Sequence, residues 1–335
     1  MLKNKILLIT ILITSCGGGG GMSSDSPNDP MTPGNAVTPC DTSNITNIIL
    51  NSRNADCAQS QYVDNCTIAY VRDLNRALDF TANTSLKISS DMNSCAFSVD
   101  AIPNHDFNDS SASFATNVME VNRSFTIKRN PMIASENTQI DGRSWDAVMI
   151  NGVVVDIKSN GCYQPTEPRA NNDGNIASNC PRNAEWNLVP LEYKSMFRVD
   201  IHNAHVQPDG TYHYHGNPNA LFDDSPSEDG SPLIGWAADG FPIYGSYILE
   251  VSTGTYRKVL SGYTLKTGSR GTKSNTNPGG QYTGIYEEDW EWTNAGDLDE
   301  CNGMTYKDQY GYYVTDGYPY IINCFKGTPD PSFNK

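Results

Sequence analysis

Histidine is scarce in this chain, five residues in 335. Basic residues are also few, with 23 Lys and Arg against 38 Asp and Glu and a formal net charge of -15. Neutralising nucleic-acid phosphates requires clustered Lys and Arg, so no nucleic-acid partner is expected. The sequence has no Gly-x-Ser-x-Gly elbow, no His-Glu-x-x-His helix and no phosphate-binding loop, which removes the enzyme classes built on those devices. It has no Cys-x-x-Cys spacing for a thiolate zinc site and no internal repeat. Nor does any apolar run reach the roughly 20 residues that a membrane-crossing helix needs.

What is present begins at the N-terminus. Residues 1–16 combine Lys3 and Lys5 with an apolar run at 6–13 and then small residues, the layout of an export signal rather than of folded structure. Ile13-Thr14-Ser15-Cys16 resembles the bacterial lipobox, which implies removal of residues 1–15, lipidation of Cys16 and attachment to a membrane through that lipid. The stretch GGGGGMSSDSPNDPMTPGNAVTP completes a flexible tether over residues 16–39, because it has almost nothing to bury. The absence of aspartate at position 17 points to an outer-membrane lipoprotein, periplasmic or surface-exposed. Removing residues 1–15 deletes two lysines and no acids, taking the net charge from -15 to about -17.

The roughly 295 remaining residues allow one large domain or one with an appendage. Beyond Cys16 there are eight cysteines, an even number that in an exported protein reads as disulfides. Cys162 with Cys180 and Cys301 with Cys324 are the expected local pairs, with two bridges among Cys40, Cys57, Cys66 and Cys95. Residues 40–100 read as a small disulfide-rich segment with one amphipathic helix, since Ala69, Tyr70, Leu74, Ala77 and Leu78 recur at helical spacing. From 101 to 330 the texture becomes β-like. Runs at 124–128, 147–150, 153–157, 197–206, 211–215, 244–249 and 310–315 are rich in β-branched and aromatic residues and are split by Gly, Pro, Asn and Asp. Asn151-Gly152 between two such runs signals a hairpin. No long helical pattern alternates with the strands, so the expected fold is mainly β, an antiparallel sandwich or irregular barrel with long loops.

Four of the five histidines fall in HNAHVQPDGTYHYHG, residues 202–216. Pro208-Asp209-Gly210 has the chemistry of a three-residue hairpin loop, a type I turn closed by a left-handed glycine. Gln207 then opposes Thr211, Val206 opposes Tyr212, His205 opposes His213, Ala204 opposes Tyr214 and Asn203 opposes His215. Side chains alternate along a strand, so His205, His213 and His215 share one face while Tyr212 and Tyr214 take the other, with His202 on the tyrosine side. Opposed Cβ atoms lie about 4.5–5.5 Å apart. Three imidazoles at that spacing suit a divalent zinc or copper ion with a position left for water. The competing reading makes the same rings hydrogen-bonded scaffold, and a one-residue slip of register would turn His205 away.

Asp200, residues 204–216 (AHVQPDGTYHYHG) and residues 235–245 (GWAADGFPIYG) together resemble the bacterial YHYH domain family. Ile102-Pro103-Asn104-His105, Leu298-Asp299-Glu300-Cys301-Asn302-Gly303 and Tyr318-Pro319-Tyr320-Ile321 before Cys324 extend the likeness over residues 101–327. The resemblance implies a secreted or lipid-anchored protein, names no reaction, and includes His105 but not His202 among its histidines. His105 therefore joins the candidate metal ligands as an approach from a distant loop. Asp239 joins them as a carboxylate in an apolar run, aimed at the metal or at one of its histidines; its alternative is a simple Asp-Gly turn. Two functions follow. One is a metalloprotein, with catalysis open. The other is a glycan or surface-polymer binding module in which the histidines are structural, drawing on 18 Tyr and 5 Trp, with Trp290 and Trp292 on one strand face. A carboxylate glycosidase is a weaker third, since no acidic pair is singled out.

Overall fold

Short β-prone runs separated by turn formers favour short strands, and most strands among the described residues are two to six residues long. The computed structural model describes residues 52–59, 66–88, 91–181, 183–222, 224–226 and 229–335. The export signal, Cys16, the tether and Cys40 lie outside them. Among the described residues the chain is mainly β, its α-helix being the single turn Lys194–Phe197. No helix among the described residues is long and apolar enough to cross a membrane.

Two sheets dominate. The first is four-stranded and antiparallel, with strands in sequence order: β1 (Cys66–Asp73), β2 (Leu78–Ile88), β3 (Ser94–Val99) and β4 (Arg123–Lys128). The amphipathic helix expected between Cys66 and Phe80 is instead part of a hairpin, with Val71 paired to Phe80. The helical stripe misleads because it is not a buried face. Tyr70, Leu74 and Leu78 are 58%, 48% and 41% exposed, whereas Val71, outside the stripe, is 5% exposed. Ala77 takes a left-handed φ of 56° in the turn, which no helix accommodates. The sheet also crosses position 100, because β3 pairs along its length with β4.

The second sheet has eight strands: β5 (Ala147–Met149), β6 (Val154–Val155), β7 (Ala204–Val206), β8 (Tyr212–Tyr214), β9 (Leu233–Ala237), β10 (Pro242–Tyr244), β11 (Gly303–Tyr306) and β12 (Gln309–Tyr313). Their order is β7-β8-β6-β5-β9-β10-β12-β11. The sheet is open, which rules out the barrel. It is also mixed: β8 runs parallel to β6 and β10 parallel to β12. The Asn151-Gly152 hairpin joins β5 to β6, with Gly152 at a left-handed φ of 85°. The strand expected over 197–206 starts only at Ala204, because Arg198 and Asn203 both have positive φ.

The two sheets share one apolar core. Trp236 of β9 is 1% exposed and meets Phe97 of β3 edge to face, centroids 6.1 Å apart. Disulfides join Cys57 to Cys95, Cys162 to Cys180 and Cys301 to Cys324. Cys57–Cys95 ties the segment 52–59 to β3, and Trp236 Nε1 donates to the Ala55 carbonyl at 3.1 Å. Cys301–Cys324 holds the last crossing of the chain against β11 and β12.

Candidate metal centre

The turn chemistry of Pro208-Asp209-Gly210 sets the hairpin. Gly210 adopts φ 90°, its N–H donates to Gln207 O at 3.0 Å, and Gln207 N–H donates to Thr211 O at 2.9 Å. The pairing that follows is Ala204 with Tyr214, His205 with His213 and Val206 with Tyr212. His205, His213 and His215 therefore project from one face and converge. Nε2 of His215 lies 3.1 Å from Nε2 of His213 and 3.0 Å from Nε2 of His205.

The opposite ring nitrogens explain why those three point inward. Nδ1–H of His205 donates to the Phe197 carbonyl at 2.6 Å, that of His213 to Thr211 O at 3.2 Å, and that of His215 toward Ile157 O at 3.4 Å. A carbonyl oxygen only accepts, so each Nδ1 carries the proton and each neutral ring presents a bare Nε2 lone pair. The His215 lone pair lies about 3 Å from those of His213 and His205 with no hydrogen between them, so the rings repel one another. Protonating a ring would relieve this, but burial holds all three imidazoles below their usual pKa, and for His213 and His215 well below it. His213 and His215 are 0% and 3% exposed. Among the described residues these three are the group whose ligand atoms cluster closely enough to hold a cation. Tetrahedral zinc with Zn–N of about 2.0–2.1 Å separates its nitrogens by about 3.3 Å, within a few tenths of the His213–His215 and His205–His215 spacings.

Residues 124–327 match the family of YHYH proteins. The chain belongs to that family. The tetrapeptide spelled by the family name is Tyr212-His213-Tyr214-His215, the strand that supplies two of the three imidazoles. No curated protein and no solved structure matches the chain.

Two further ligand candidates of this YHYH protein stand elsewhere. His105 lies on the tyrosine face of the hairpin: its Nε2 accepts from the Tyr214 hydroxyl at 2.7 Å, its Nδ1–H donates to Asp106 O at 2.8 Å, and its ring centroid is 4.2 Å from that of His202. Both nitrogens are engaged, so His105 braces the hairpin from behind. Asp239 is buried beside another part of the sheet, accepting from Tyr312 Oη at 2.7 Å, Gly327 N at 2.9 Å and Phe241 N at 3.2 Å. Asp200 caps the start of the hairpin, accepting from the backbone of His202 and Ala204 and from the Tyr212 hydroxyl. Asp299 closes a turn through Cys301 N and Gly303 N.

Sequence reasoning missed the carbonyls of Phe197 and Ile157, which orient two of the rings from distant segments. It also missed a buried acidic pair on the neighbouring strands. Asp146 and Asp156 are the residues next outward from the Ala147–Val155 pair of β5 and β6; Asp146 N–H donates to Val155 O at 2.8 Å, and the Asp156 charge bears on the Asp146 carboxyl. Burial and then the Asp156 charge push the Asp146 carboxyl up. Burial also raises Asp156, against the lowering effect of the Lys335 ammonium. The Asn-Gly turn was the available signal, since its register decides which acids meet. A cleft reaches the side of His215, lined by Lys158, Glu287, Tyr318, Tyr320 and Asn323 among others.

Burial, and secondarily the charge of His202, lower the pKa of His105 to about 3. Its ring is therefore neutral in the fold, while the unfolded chain protonates it below about 6.5. Between these values the unfolded state binds the extra proton, so stability is lost as pH falls through that window. Because His105 is partly exposed, the cost from pH 7 to 5 is set at about 1 kcal/mol rather than the full shift. His105→Gln keeps an acceptor for Tyr214 and cannot titrate. Its urea-unfolding free energy should fall by about 1 kcal/mol less than wild type over that range, and equal slopes would contradict the assignment.

Proposed function

We propose that this YHYH protein is an exported, lipid-anchored metalloprotein that binds one divalent ion, zinc or copper, through Nε2 of His205, His213 and His215. The observation that carries the reading is the pairing of three carbonyl-tied Nδ1–H groups with three converging bare Nε2 atoms. Such outer contacts fix ring orientation and raise ligand basicity in metal sites. A three-histidine ion supplies Lewis acidity and, with a water in its remaining position, a nucleophile near neutral pH; copper would bring redox chemistry instead. The chain's own part is to hold the rings rigid between β7 and β8, exclude bulk water from His213 and His215, and leave His205 at the more open edge.

The glycan-binding alternative has less support. The Trp290 indole stacks on Tyr318, centroids 5.2 Å apart and planes 8° from parallel, so one face is already covered. Trp292 is 42% exposed. Placement at the outer membrane rests on the lipobox and the glycine that follows Cys16. Growth with labelled palmitate should label the wild type and leave Cys16→Ser unlabelled and soluble; a labelled serine variant would remove the anchor from the proposal.

Elemental analysis of the purified full chain tests the metal. Wild type should carry about one equivalent and His213→Ala/His215→Ala close to none, because a single remaining imidazole cannot hold the ion. Equal content in the two would reduce the cluster to scaffolding.

A further inference from the structure

Natural folds leave few buried polar atoms without a partner, and each one asks for an explanation. Among the described residues eight buried side-chain atoms are in that position, and four of them fall in one patch: Nε of Arg123, Nε1 of Trp145, Oδ1 of Asp146 and Oδ1 of Asp156. The patch is contiguous. The Arg123 guanidinium lies 5.0 Å over the Trp145 ring, and the Lys335 ammonium lies 4.5 Å over the same ring while pairing with Asp156 Oδ2 at 2.5 Å. Asp146 and Asp156 stand just outside the Ala147–Val155 pair that ends the β5–β6 hairpin, and Asp146 Oδ2 accepts from Ile157 N at 2.7 Å. Trp145, Asp146 and Asp156 are 2%, 0% and 4% exposed.

It also adjoins the three histidines. The Trp145 and His213 ring centroids are 6.0 Å apart. Gln207, two residues beyond His205 on the same strand face, donates to Asp156 Oδ2 at 3.1 Å. The unpartnered atoms are two N–H donors and two carboxylate acceptors, so a matching occupant must carry both kinds of group. Charge narrows the choice. Arg123 is paired with Asp209 at 3.2 Å and Lys335 with Asp156, which leaves no free positive charge to draw an anion.

We infer that Trp145, Asp146 and Asp156 form a recognition subsite beside the three-histidine centre for a small uncharged molecule bearing both hydrogen-bond donors and acceptors, of the amide or hydroxamic acid type. This rests on the metal reading of the histidines. The ion holds the Lewis-basic end of the molecule, and the subsite reads its remaining N–H and C=O groups. Near-complete burial of Trp145 and His213 restricts the occupant to a few heavy atoms.

The test uses the full chain loaded with cobalt(II), whose visible absorption reports ligands at the ion. Acetohydroxamic acid serves as the two-ended probe and azide as one that needs the metal alone. Trp145→Phe keeps the ring's packing and removes the N–H. Acetohydroxamic acid should bind the variant about tenfold more weakly than wild type, the loss of one hydrogen bond, with azide within twofold. Equal weakening of both probes, or no change in either, overturns the inference while leaving the metal site standing. A second equivalent of cobalt in wild type that disappears in Asp146→Asn overturns it in favour of a carboxylate cation site. Failure of wild type to take up any cobalt removes the metal reading and the subsite together. Thermal unfolding of the metal-free proteins gives a separate check: if the indole N–H is merely an unmet burial cost, Trp145→Phe will melt higher than wild type, and that too counts against the subsite.

Discussion

Zinc added to the metal-free protein should raise its melting temperature by about 8–16 °C at a free-ion concentration a thousandfold above Kd. An ion that binds only the folded state stabilises it by RT ln(1 + [L]/Kd), about 4.1 kcal/mol at that excess. For a domain of a few hundred residues each kcal/mol moves the midpoint by about 2–4 °C. The folded state is poised for this gain, because the Nδ1 bonds to Phe197, Thr211 and Ile157 have already ordered the rings and the Nε2 atoms already face one another. Little rearrangement remains to offset binding. In His213→Ala/His215→Ala the shift should vanish, since the only ligand left is His205 at the more open edge. Differential scanning calorimetry with and without zinc makes the measurement. A shift of the same size in both proteins would place the ion elsewhere, and no shift in either would leave the three rings without their proposed partner.

Trp236→Ala should destabilise the protein by about 4 kcal/mol, within the 3–5 kcal/mol typical of large aromatic truncations in a core. Trp236 lies on a central strand of the larger sheet, flanked by β5 and β10, and is 1% exposed. Its ring makes the edge-to-face contact with Phe97 of the smaller sheet, and its N–H reaches the Ala55 carbonyl. Truncation therefore opens a cavity between the sheets and leaves a half-buried carbonyl without its donor on the segment fastened by Cys57–Cys95. Trp236→Phe keeps most of the packing and loses only the hydrogen bond, so it should cost about 1–2 kcal/mol. Urea unfolding of the two variants decides the point. A loss below about 1 kcal/mol for Trp236→Ala would mean that the sheets adhere without it. Zinc stoichiometry should survive in the folded fraction, because the histidines sit on β7 and β8, at one edge of the eight-stranded sheet.

The candidate centre was legible to the extent that it is local. Pro208, Asp209 and Gly210 have strong backbone preferences, and these preferences alone fix the loop length, the register and hence the common face of His205, His213 and His215. Periodicity served less well between Cys66 and Phe80. There a five-residue apolar pattern fitted a helix, but the chain pairs through β-branched positions and a left-handed Ala77, and leaves Tyr70, Leu74 and Leu78 facing outward. A pattern that short cannot show which side becomes the core, because the core is completed by strands from elsewhere in the chain.

His105 and Asp239 mark the same limit in the candidate site. Both came from the family likeness, and position in a motif does not say on which side of a sheet a side chain ends. Tertiary folding set His105 behind the hairpin on Tyr214 and set Asp239 against Tyr312 and Gly327. It also chose the parallel partner of β8, which brought Ile157 O to His215 and Asp146 and Asp156 to the neighbourhood of the rings.

The sequence by itself determined the mainly β character, the local disulfides Cys162–Cys180 and Cys301–Cys324, and the three imidazoles on one face. Each of these depends on residues close together in the chain, where turn geometry and short loops leave few alternatives. Only the tertiary structure decided that the sheets stay open, which pairings run parallel, and which nitrogen of each histidine is free. Those outcomes depend on carbonyls and side chains brought in from distant segments, and packing free energy rather than local preference selects among them.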